Sequence, residues 1–404
     1  MKTILFIIAL FTANTLYAQT NAGLLWHPDS VYSKTLKEKR KIWVSMPEPG
    51  EDDAYGNQHY PVLYVLDGDM QLTLTAMVQQ MEGGSGNLNF PKMIVVAVST
   101  TANRNRDLTP THSNGAPLQD SLSMASSGGG ENFTTFLEKE LMPHIDSIYP
   151  TAPYRVLFGH SFGGLFAINT LVHHSQLFNA YAAIEPSMWW DNQKLLKETK
   201  LALDDGKLKN IPLFLGIAHT QPAQMDTITA KKDNTTSTVH IRAIFQLRNY
   251  MAGRQSSSFS WKYYPDYNHG TVSTVAYYDA LLSLFRFYSF DFPFPTFFGP
   301  SGSNSILTDR YKSLSRQMGY TVLPPPGFVS TLAHQLTGSK QWDRALELLT
   351  LNKDAHPENY LVYEELGDFY TKKGDKENAI AQYTIALKHK DSPKIKAKLE
   401  KLTK

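Results

Sequence analysis

The stretch RVLFGHSFGGLFAINTLV, residues 155–172, decides the fold of this chain. It begins with an apolar run, places Ser161 between Gly159 and Gly163 as G-x-S-x-G, and continues as a helical apolar pattern. A strand, a sharp turn and a helix in that order form the setting in which such a serine acts as a nucleophile. The glycines let strand and helix approach closely, and the helix N-terminus favours negative charge. We therefore predict that Ser161 is a nucleophile and not a packing residue.

The apolar pattern on either side of this turn predicts an α/β fold. Continuous apolar runs indicate strands that are buried on both faces of a parallel sheet. The predicted strands cover residues 41–46, 61–66, 93–98, 154–158, 180–184 and 212–217. The helical patterns cover residues 131–149, 163–173 and 240–251. Their alternation predicts an α/β sandwich with a mainly parallel sheet and functional residues at the carboxyl ends of its strands.

A general base for the serine is predicted in the last loop of this region. A serine hydroxyl needs a base, and the chain order in folds of this class is serine, acid, histidine. His269 follows the strand-like segment SFSWKYY and precedes an apolar helical pattern, which is where the base is expected. His160, beside the serine, cannot fold back to act as the base, so we predict that it lines the turn and contacts the substrate.

The acid is expected after the strand at 212–217 and before the helix that begins near Thr238. Asp226 and Asp233 both lie in that interval. Asp226 is nearer to the end of the strand and is the first choice. Asp233 is the alternative acid, or a residue that only precedes and caps the helix.

The oxyanion of an acyl-transfer reaction needs two backbone N–H donors. We assign one to Phe162, immediately after the serine. The other is expected in the loop after the strand at 61–66, where Gly68 permits close approach of the backbone to substrate. Asp69 or Met70 is the predicted donor in that loop. A plain strand-ending turn is the alternative interpretation.

Composition restricts the classes of function. The chain has 404 residues, a formal net charge of +2 and no cysteine. The small charge gives no electrostatic case for nucleic acid. The missing cysteine excludes disulfides, thiol chemistry and thiolate metal sites. The predicted chemistry needs neither a metal nor an organic cofactor, and we expect none.

The N-terminus has the pattern of a secretory signal peptide. Lys2 is followed by an apolar run over 4–11 and then by Ala18, a small residue suited to a cleavage site. The apolar run is too short to span a bilayer. We predict a signal peptide over 1–18 and a protein that is periplasmic or secreted, without a membrane span.

The character of the sequence changes after about residue 295. We predict a catalytic domain over 19–295, a linker over 296–327 and a helical region over 328–404. The helical region has a period of 34 residues, most clearly as Y-x-x-L-G-x-x-Y from Tyr363. This pattern resembles the tetratricopeptide repeat, in which small and aromatic residues interlock two antiparallel helices.

With these residues assigned, the chain resembles the esterase family of α/β-hydrolases. That family includes siderophore (enterobactin-type) esterases, feruloyl and acetyl-xylan esterase domains, formylglutathione hydrolases and mycolyl transferases. The motifs that carry the resemblance are YPVLYVLDGD, RNRDLTPT from Arg104, GHSFGG, EPSMWWD from Glu185, and NHG at His269. The resemblance runs from about residue 31 to 290 and is greatest to the siderophore-esterase-like branch. It implies an α/β-hydrolase fold with Ser161 and His269 at the catalytic centre.

Two further side chains are candidate substrate contacts. Arg106 either approaches the pocket to hold an anionic or carbonyl group, or pairs with the neighbouring Asp107. Trp190, with Trp189, either forms an apolar wall beside the substrate or packs in the core.

Together these features predict an exported serine esterase that works through an acyl-enzyme intermediate. Its expected partner is a small-molecule ester, either a siderophore ester or an acylated carbohydrate. The alternative is a non-catalytic scaffold of hydrolase fold whose C-terminal helical repeats bind a protein partner.

Overall fold

The computed structural model of the protein describes residues 26–47, 54–56, 58–68, 89–113, 124–254 and 258–404. The chain divides into two compact units. The first comprises Met1–Glu48 and Tyr60–Ser289, and the second comprises Pro49–His59 and Phe290–Lys404. The predicted signal peptide lies outside the described residues.

The first unit is built on one β-sheet. Its strands within the described ranges are β1 His27–Ser33, β2 Glu38–Ser45, β3 Tyr60–Leu66, β4 Ile94–Val98, β5 Thr151–His160, β6 Ala180–Ile184, β7 Leu213–Ala218 and β8 Phe259–Tyr264. Their order across the sheet is β1-β2-β4-β3-β5-β6-β7-β8. Strand β2 runs antiparallel to β1 and β4, and the other neighbouring pairs are parallel. The prediction of a mainly parallel sheet is therefore confirmed.

Helices connect the strands of this sheet. They are α1 Arg104–Leu108, α2 Gly130–Phe136, α3 Met142–Ile148, α4 Phe162–His173, α5 Trp190–Asp204, α6 Thr227–Lys232, α7 Val239–Ala252 and α8 Val272–Leu284. A π-helical turn, Leu137–Leu141, joins α2 to α3. The helices predicted from apolar periodicity are all present, the first of them as α2, the π-helical turn and α3.

The central strands are buried along their length. Every residue of β4, β6 and β7 is buried, as expected of parallel strands with both faces covered. Aromatic side chains tie the sheet to its helices. Phe158 of β5, for example, packs against Tyr277 of α8 with 5.2 Å between ring centroids. Burial of a phenylalanine side chain contributes roughly 1.5–3 kcal/mol, so this core holds the strand ends firmly in place.

The parallel arrangement brings several strand ends to one edge of the sheet. Strand β5 leads directly into Ser161, β6 leads directly into Glu185, and the loop after β8 carries His269. Residues that are far apart in the sequence therefore start from the same side of the sheet.

The second unit is helical. Its helices are α9 Phe294–Phe298, α10 Ser305–Met318, α11 Pro326–Gly338, α12 Trp342–Ala355, α13 Tyr360–Lys373, α14 Lys376–His389 and α15 Pro393–Thr403. The structure corrects the prediction of a linker over 296–327, because α10 lies in that segment. Its Leu307 belongs to the same buried cluster as Val329 and Leu348. The segments rich in glycine and proline before and after α10 mark the ends of this helix and not a linker. Within the described ranges, no helix has the length and apolar character needed to cross a bilayer.

Two helix pairs repeat in the second unit. Helices α11 and α13 begin 34 residues apart, as do α12 and α14. Helices α13 and α14 approach closely at Gly367, where a Cβ atom would lie 2.4 Å from the Tyr383 ring. The predicted helical character of this region is confirmed, whereas its assignment as a tetratricopeptide repeat stays a prediction.

Gly367→Ala should destabilise the second unit, because the added methyl group would overlap the Tyr383 ring. Overpacking of this kind costs about 1–3 kcal/mol. Gly338→Ala is the matched control, since a Cβ atom at that position meets nothing within 4 Å. We expect backbone hydrogen exchange in α13 and α14 to accelerate in Gly367→Ala and not in the control. Unchanged exchange in Gly367→Ala would contradict this account of the packing.

Candidate active site

The turn between β5 and α4 holds Ser161 in a strained backbone conformation. Its φ is 60° and its ψ is −115°, in a region that non-glycine residues rarely adopt. The turn is also tight, because a Cβ atom on Gly159 would lie 2.1 Å from the carbonyl oxygen of Gly163. The Ser161 N–H donates to the Ile184 carbonyl at 2.9 Å, which ties the turn to the end of β6. Strain of this kind persists where surrounding structure enforces it, and it is concentrated at functional sites.

His269 lies in contact with this serine. Its Nε2 atom is 3.0 Å from the Ser161 Oγ atom. A turn at Asn268 shapes the loop, since the Asn268 carbonyl accepts the N–H of Val272 at 3.1 Å. The structure thus brings together the two residues that the sequence predicts as nucleophile and base.

The carboxylate beside His269 belongs to Glu185, and not to Asp226 or Asp233. The Glu185 Oε2 atom is 3.2 Å from His269 Nδ1. The other ring nitrogen faces Ser161, so both nitrogens of the imidazole have partners. The expectation of an aspartate after β7 is therefore corrected. The carboxylate comes from the end of β6, one strand nearer to β5.

Asp226 and Asp233 instead organise the starts of helices. Asp226 is the N-cap of α6 and accepts the Thr229 N–H at 2.7 Å. Asp233 accepts the Thr238 hydroxyl at 2.6 Å, immediately before α7. Short acidic side chains suit such positions because the first N–H groups of a helix have no intrahelical acceptor.

The position of Glu185 in the sequence also fits that of an acid. It follows an unbroken apolar strand, and it satisfies the chain order serine, acid, histidine. A charged residue directly after such a strand lies at the edge of the sheet where sites form. The positive φ of Glu185, 48°, shows that the backbone turns sharply here.

Glu185 is a buried charge that accepts hydrogen bonds from three N–H donors. It is 0 % exposed. The Ala218 N–H donates to Oε1 at 2.5 Å, while His240 Nε2 lies 2.9 Å from Oε2, beside His269. Burial acts to raise the pKa of Glu185, but the hydrogen bonds from His240 and His269 outweigh it and lower the pKa to about 2. The carboxylate is therefore ionised at neutral pH.

The ionised carboxylate determines the tautomers of its neighbours, since it accepts hydrogen bonds and cannot donate them. His269 must carry its proton on Nδ1, toward Glu185, and present a lone pair on Nε2 to the Ser161 hydroxyl. This is the tautomer that can receive the serine proton. His240 must likewise carry a proton on Nε2.

His160 packs against His269 with 4.6 Å between ring centroids. Its Nε2 atom is buried and has no hydrogen-bond partner among the described residues. Burial, and then the neighbouring His269, lower the pKa of His160 to about 4. The ring is therefore neutral at pH 7. His160 lines the turn as expected, and its contact with substrate stays a prediction.

The start of α4 offers one backbone donor for an oxyanion. Phe162 is the first residue of this helix, so its N–H has no intrahelical acceptor. The turn after β3 lies next to the start of α4. A Cβ atom on Gly163, the second residue of this helix, would lie 3.5 Å from Asp67 Oδ2. Asp69 and Met70, the predicted second donors, lie outside the described residues.

Arg104, and not Arg106, lies at the serine turn. Arg104 donates to both carboxylate oxygens of Asp67, at 2.9 and 2.8 Å, and to the His160 carbonyl at 3.2 Å. Its guanidinium lies 5.4 Å from the centroid of the Phe162 ring. This ion pair, in which Asp67 is buried and Arg104 is partly exposed, joins the end of β3 to the turn after β5. The same motif, RNRDLTPT, thus supplies an arginine to the site two positions earlier than expected.

Arg106 adopts the alternative role that the sequence left open. It donates to Asp107 Oδ1 and to Glu38 Oε1, each at 2.8 Å. Arg40 pairs with the same two carboxylates. The predicted substrate contact of Arg106 is corrected, because its guanidinium is held within a structural ion-pair cluster.

Trp190 also packs in the core. It is 1 % exposed, and its indole N–H donates to the Thr111 carbonyl at 3.1 Å. Its ring meets the Phe162 ring edge to face, with 5.2 Å between centroids. Trp190 therefore packs against the residue that follows Ser161 and stabilises the serine turn. The prediction that Trp190 contacts the substrate is corrected.

Glu185, His240 and His269 form the one group of potential metal ligands within the described ranges, and their ligand atoms lie within 4.8 Å of one another. In this structure both histidines hydrogen-bond to the Glu185 carboxylate, at 2.9 and 3.2 Å.

A family profile described as "Putative esterase" matches residues 33–269, more than half of the chain. The chain belongs to this esterase family. The match begins at the end of β1 and ends at His269, so it contains Ser161, Glu185 and both histidine contacts of the carboxylate. The resemblance expected from the sequence motifs is confirmed.

Curated relatives include siderophore esterases. The siderophore triacetylfusarinine C esterase of Aspergillus fumigatus is 28 % identical over 179 residues, which cover 42 % of this chain and 58 % of the relative. Ferri-bacillibactin esterase of Bacillus subtilis is 31 % identical over 187 residues, which cover 44 % of this chain and 63 % of the relative. The chain therefore spans about three-fifths of the length of these relatives.

Solved structures confirm the fold class. An IroE-like serine hydrolase from Shewanella oneidensis aligns with a TM-score of 0.66 and 29 % identity, covering 81 % of this chain and 99 % of that chain. A protein from Capnocytophaga ochracea shares the fold over 94 % of this chain and 99 % of its own, with a TM-score of 0.58 and 19 % identity. The predicted α/β-hydrolase fold with a helical C-terminal region is confirmed.

The lowered pKa of His160 predicts a pH dependence of stability. Below pH 6.5 the unfolded chain binds a proton at this position, whereas the folded chain does so only near pH 4. The free energy of unfolding should therefore fall as the pH decreases from 6.5 to 4. His160→Gln should lose less stability over that interval in urea unfolding followed by tryptophan fluorescence. Equal losses in His160→Gln and in the wild type would contradict the prediction.

Proposed function

We propose that the chain is a serine esterase that hydrolyses carboxylic esters through Ser161, His269 and Glu185. The observation that carries this proposal is the unbroken hydrogen-bond chain from the serine hydroxyl through the imidazole to a buried, ionised carboxylate. A nucleophile, a base and an orienting carboxylate in contact form the constellation used in acyl transfer. Membership of the esterase family supports the same class of reaction.

In the first half of the reaction, Ser161 Oγ attacks the ester carbonyl carbon while His269 Nε2 takes the hydroxyl proton. Glu185 stabilises the imidazolium that forms and keeps it oriented. The N–H of Phe162 donates to the oxyanion, and the loop after β3 supplies the second donor. The tetrahedral intermediate then collapses, and the alcohol leaves with the proton from His269.

In the second half, water replaces the alcohol. His269 takes a proton from the water as its oxygen attacks the acyl-enzyme carbonyl, and then returns that proton to Ser161 Oγ as the acid is released. The products are an alcohol and a carboxylic acid, and the enzyme returns to its starting state. His160 remains neutral beside the base at pH 7, so it adds no positive charge that would oppose the imidazolium.

We propose a siderophore ester as the preferred substrate, with an acylated carbohydrate as the second candidate. The relatives named for siderophores support this choice. The signal-like N-terminus supports an exported enzyme that meets its substrate in the periplasm or outside the cell.

Ser161→Ala should abolish hydrolysis of p-nitrophenyl butyrate, a feruloyl ester, acetylated xylan and a catecholate siderophore trilactone. Loss of the nucleophile lowers kcat/KM by roughly 10⁴–10⁶-fold. The wild type should hydrolyse the trilactone most efficiently, and a fluorophosphonate should label it at Ser161 and leave the variant unlabelled. Absence of both labelling and Ser161-dependent turnover would overturn the esterase proposal and favour the protein-binding scaffold.

Glu185→Gln should lower kcat by about 10³–10⁴-fold, because a neutral amide neither stabilises the imidazolium nor selects the correct tautomer of His269. Asp226→Asn and Asp233→Asn should stay within about twofold of the wild type in activity, since asparagine keeps a side-chain oxygen that can accept the same hydrogen bonds at the helix starts. Steady-state kinetics on p-nitrophenyl butyrate measure all three variants. A loss in Asp226→Asn or Asp233→Asn as large as that in Glu185→Gln would assign the acid to an aspartate instead.

A further inference from the structure

A second histidine shares the carboxylate of the proposed triad. His240 Nε2 lies 2.9 Å from Glu185 Oε2, the same oxygen that lies 3.2 Å from His269 Nδ1. The two imidazole rings are nearly perpendicular, with 5.1 Å between their centroids. The side chain of His240 is 12 % exposed. The reaction proposed above uses Ser161, His269 and Glu185 and leaves this contact without a role.

We propose that His240 is a positioning residue, which holds the Glu185 carboxylate at the angle where its Oε2 atom accepts the His269 N–H. This inference rests on the proposed esterase function. His240 acts through Glu185 and does not touch the reacting atoms.

The need for such a residue follows from the freedom of a glutamate side chain. The last torsion of glutamate is broad and roughly twofold, so one anchored oxygen does not fix the other. The Ala218 N–H anchors Oε1 from the end of β7. The N–H of His240 anchors Oε2 from a different element, the first turn of α7. Because these two donors belong to different elements, they fix the orientation of the carboxylate. In that orientation Oε2 faces His269.

The residues before and after His240 hold it in place. A short 3₁₀ turn, Thr236–Thr238, leads into α7, and Asp233 accepts the hydroxyls of Thr235 at 2.5 Å and Thr238 at 2.6 Å. Ile241, the residue after His240, is fully buried in the main core. A histidine between a braced turn and a buried isoleucine has little freedom to move, as its role requires.

The test compares substitutions that keep or remove the N–H donor. His240→Leu keeps most of the bulk and removes the donor, whereas His240→Gln places an amide N–H near the position of Nε2. His144→Leu is the matched control, because it removes another contact between a histidine and a carboxylate. His144 Nε2 lies 2.7 Å from Oδ2 of Asp29, which belongs to the edge strand β1. Each full-length variant is assayed for kcat and KM on p-nitrophenyl butyrate and for the rate of fluorophosphonate labelling, with thermal unfolding measured alongside.

We expect kcat and the labelling rate of His240→Leu to fall by about 10–100-fold with KM nearly unchanged, as for loss of a partner that orients a reacting group. His240→Gln should recover most of the loss, and His144→Leu should match the wild type. Wild-type kinetics in His240→Leu, or equal losses in His240→Leu and His240→Gln, would overturn the positioning role alone. A wild type without turnover and without labelling would overturn the esterase function and this inference together.

Discussion

A buried negative charge is the constraint on which the site of this protein depends. The Glu185 carboxylate is fully removed from solvent, and an ion in that position is tolerated only when hydrogen bonds replace its hydration. Three N–H groups do so, from Ala218, His240 and His269. Each comes from a different element, namely the end of β7, the start of α7 and the loop after β8. The charge therefore requires all three elements to meet.

The same charge connects the fold to the chemistry that we propose. Because Glu185 is ionised, the imidazole of His269 has one usable tautomer, and its lone pair faces Ser161. The serine is held there by a turn that admits only glycine at position 159. The Asp67–Arg104 ion pair and the buried Trp190 support that turn from other sides. The nucleophile, its base and the carboxylate are thus placed by a rigid core and not by mobile loops alone.

Sequence patterns predicted the serine turn, the histidine loop and the strands well, because each depends on local features. An apolar strand that ends in G-x-S-x-G has few alternative structures, and His269 lies in the loop after the last strand. The acid did not follow from such reasoning. Asp226 and Asp233 occupy the interval expected for it, yet both serve local helix starts. The roles of Arg106 and Trp190 were also wrongly predicted as substrate contacts. Each side chain has a polar partner that is distant in the sequence, and no local pattern reveals such a partner.

By itself, the sequence determined the fold class, the positions of most strands and helices, and the proposed nucleophile and base, because apolar periodicity and glycine placement act over short stretches of chain. The tertiary structure alone decided which carboxylate meets His269, which arginine reaches the serine turn, and that His240 shares the acid. These contacts join residues between 37 and 84 positions apart. The order of strands in the sheet sets which of these residues become neighbours, and that order depends on how the whole core packs.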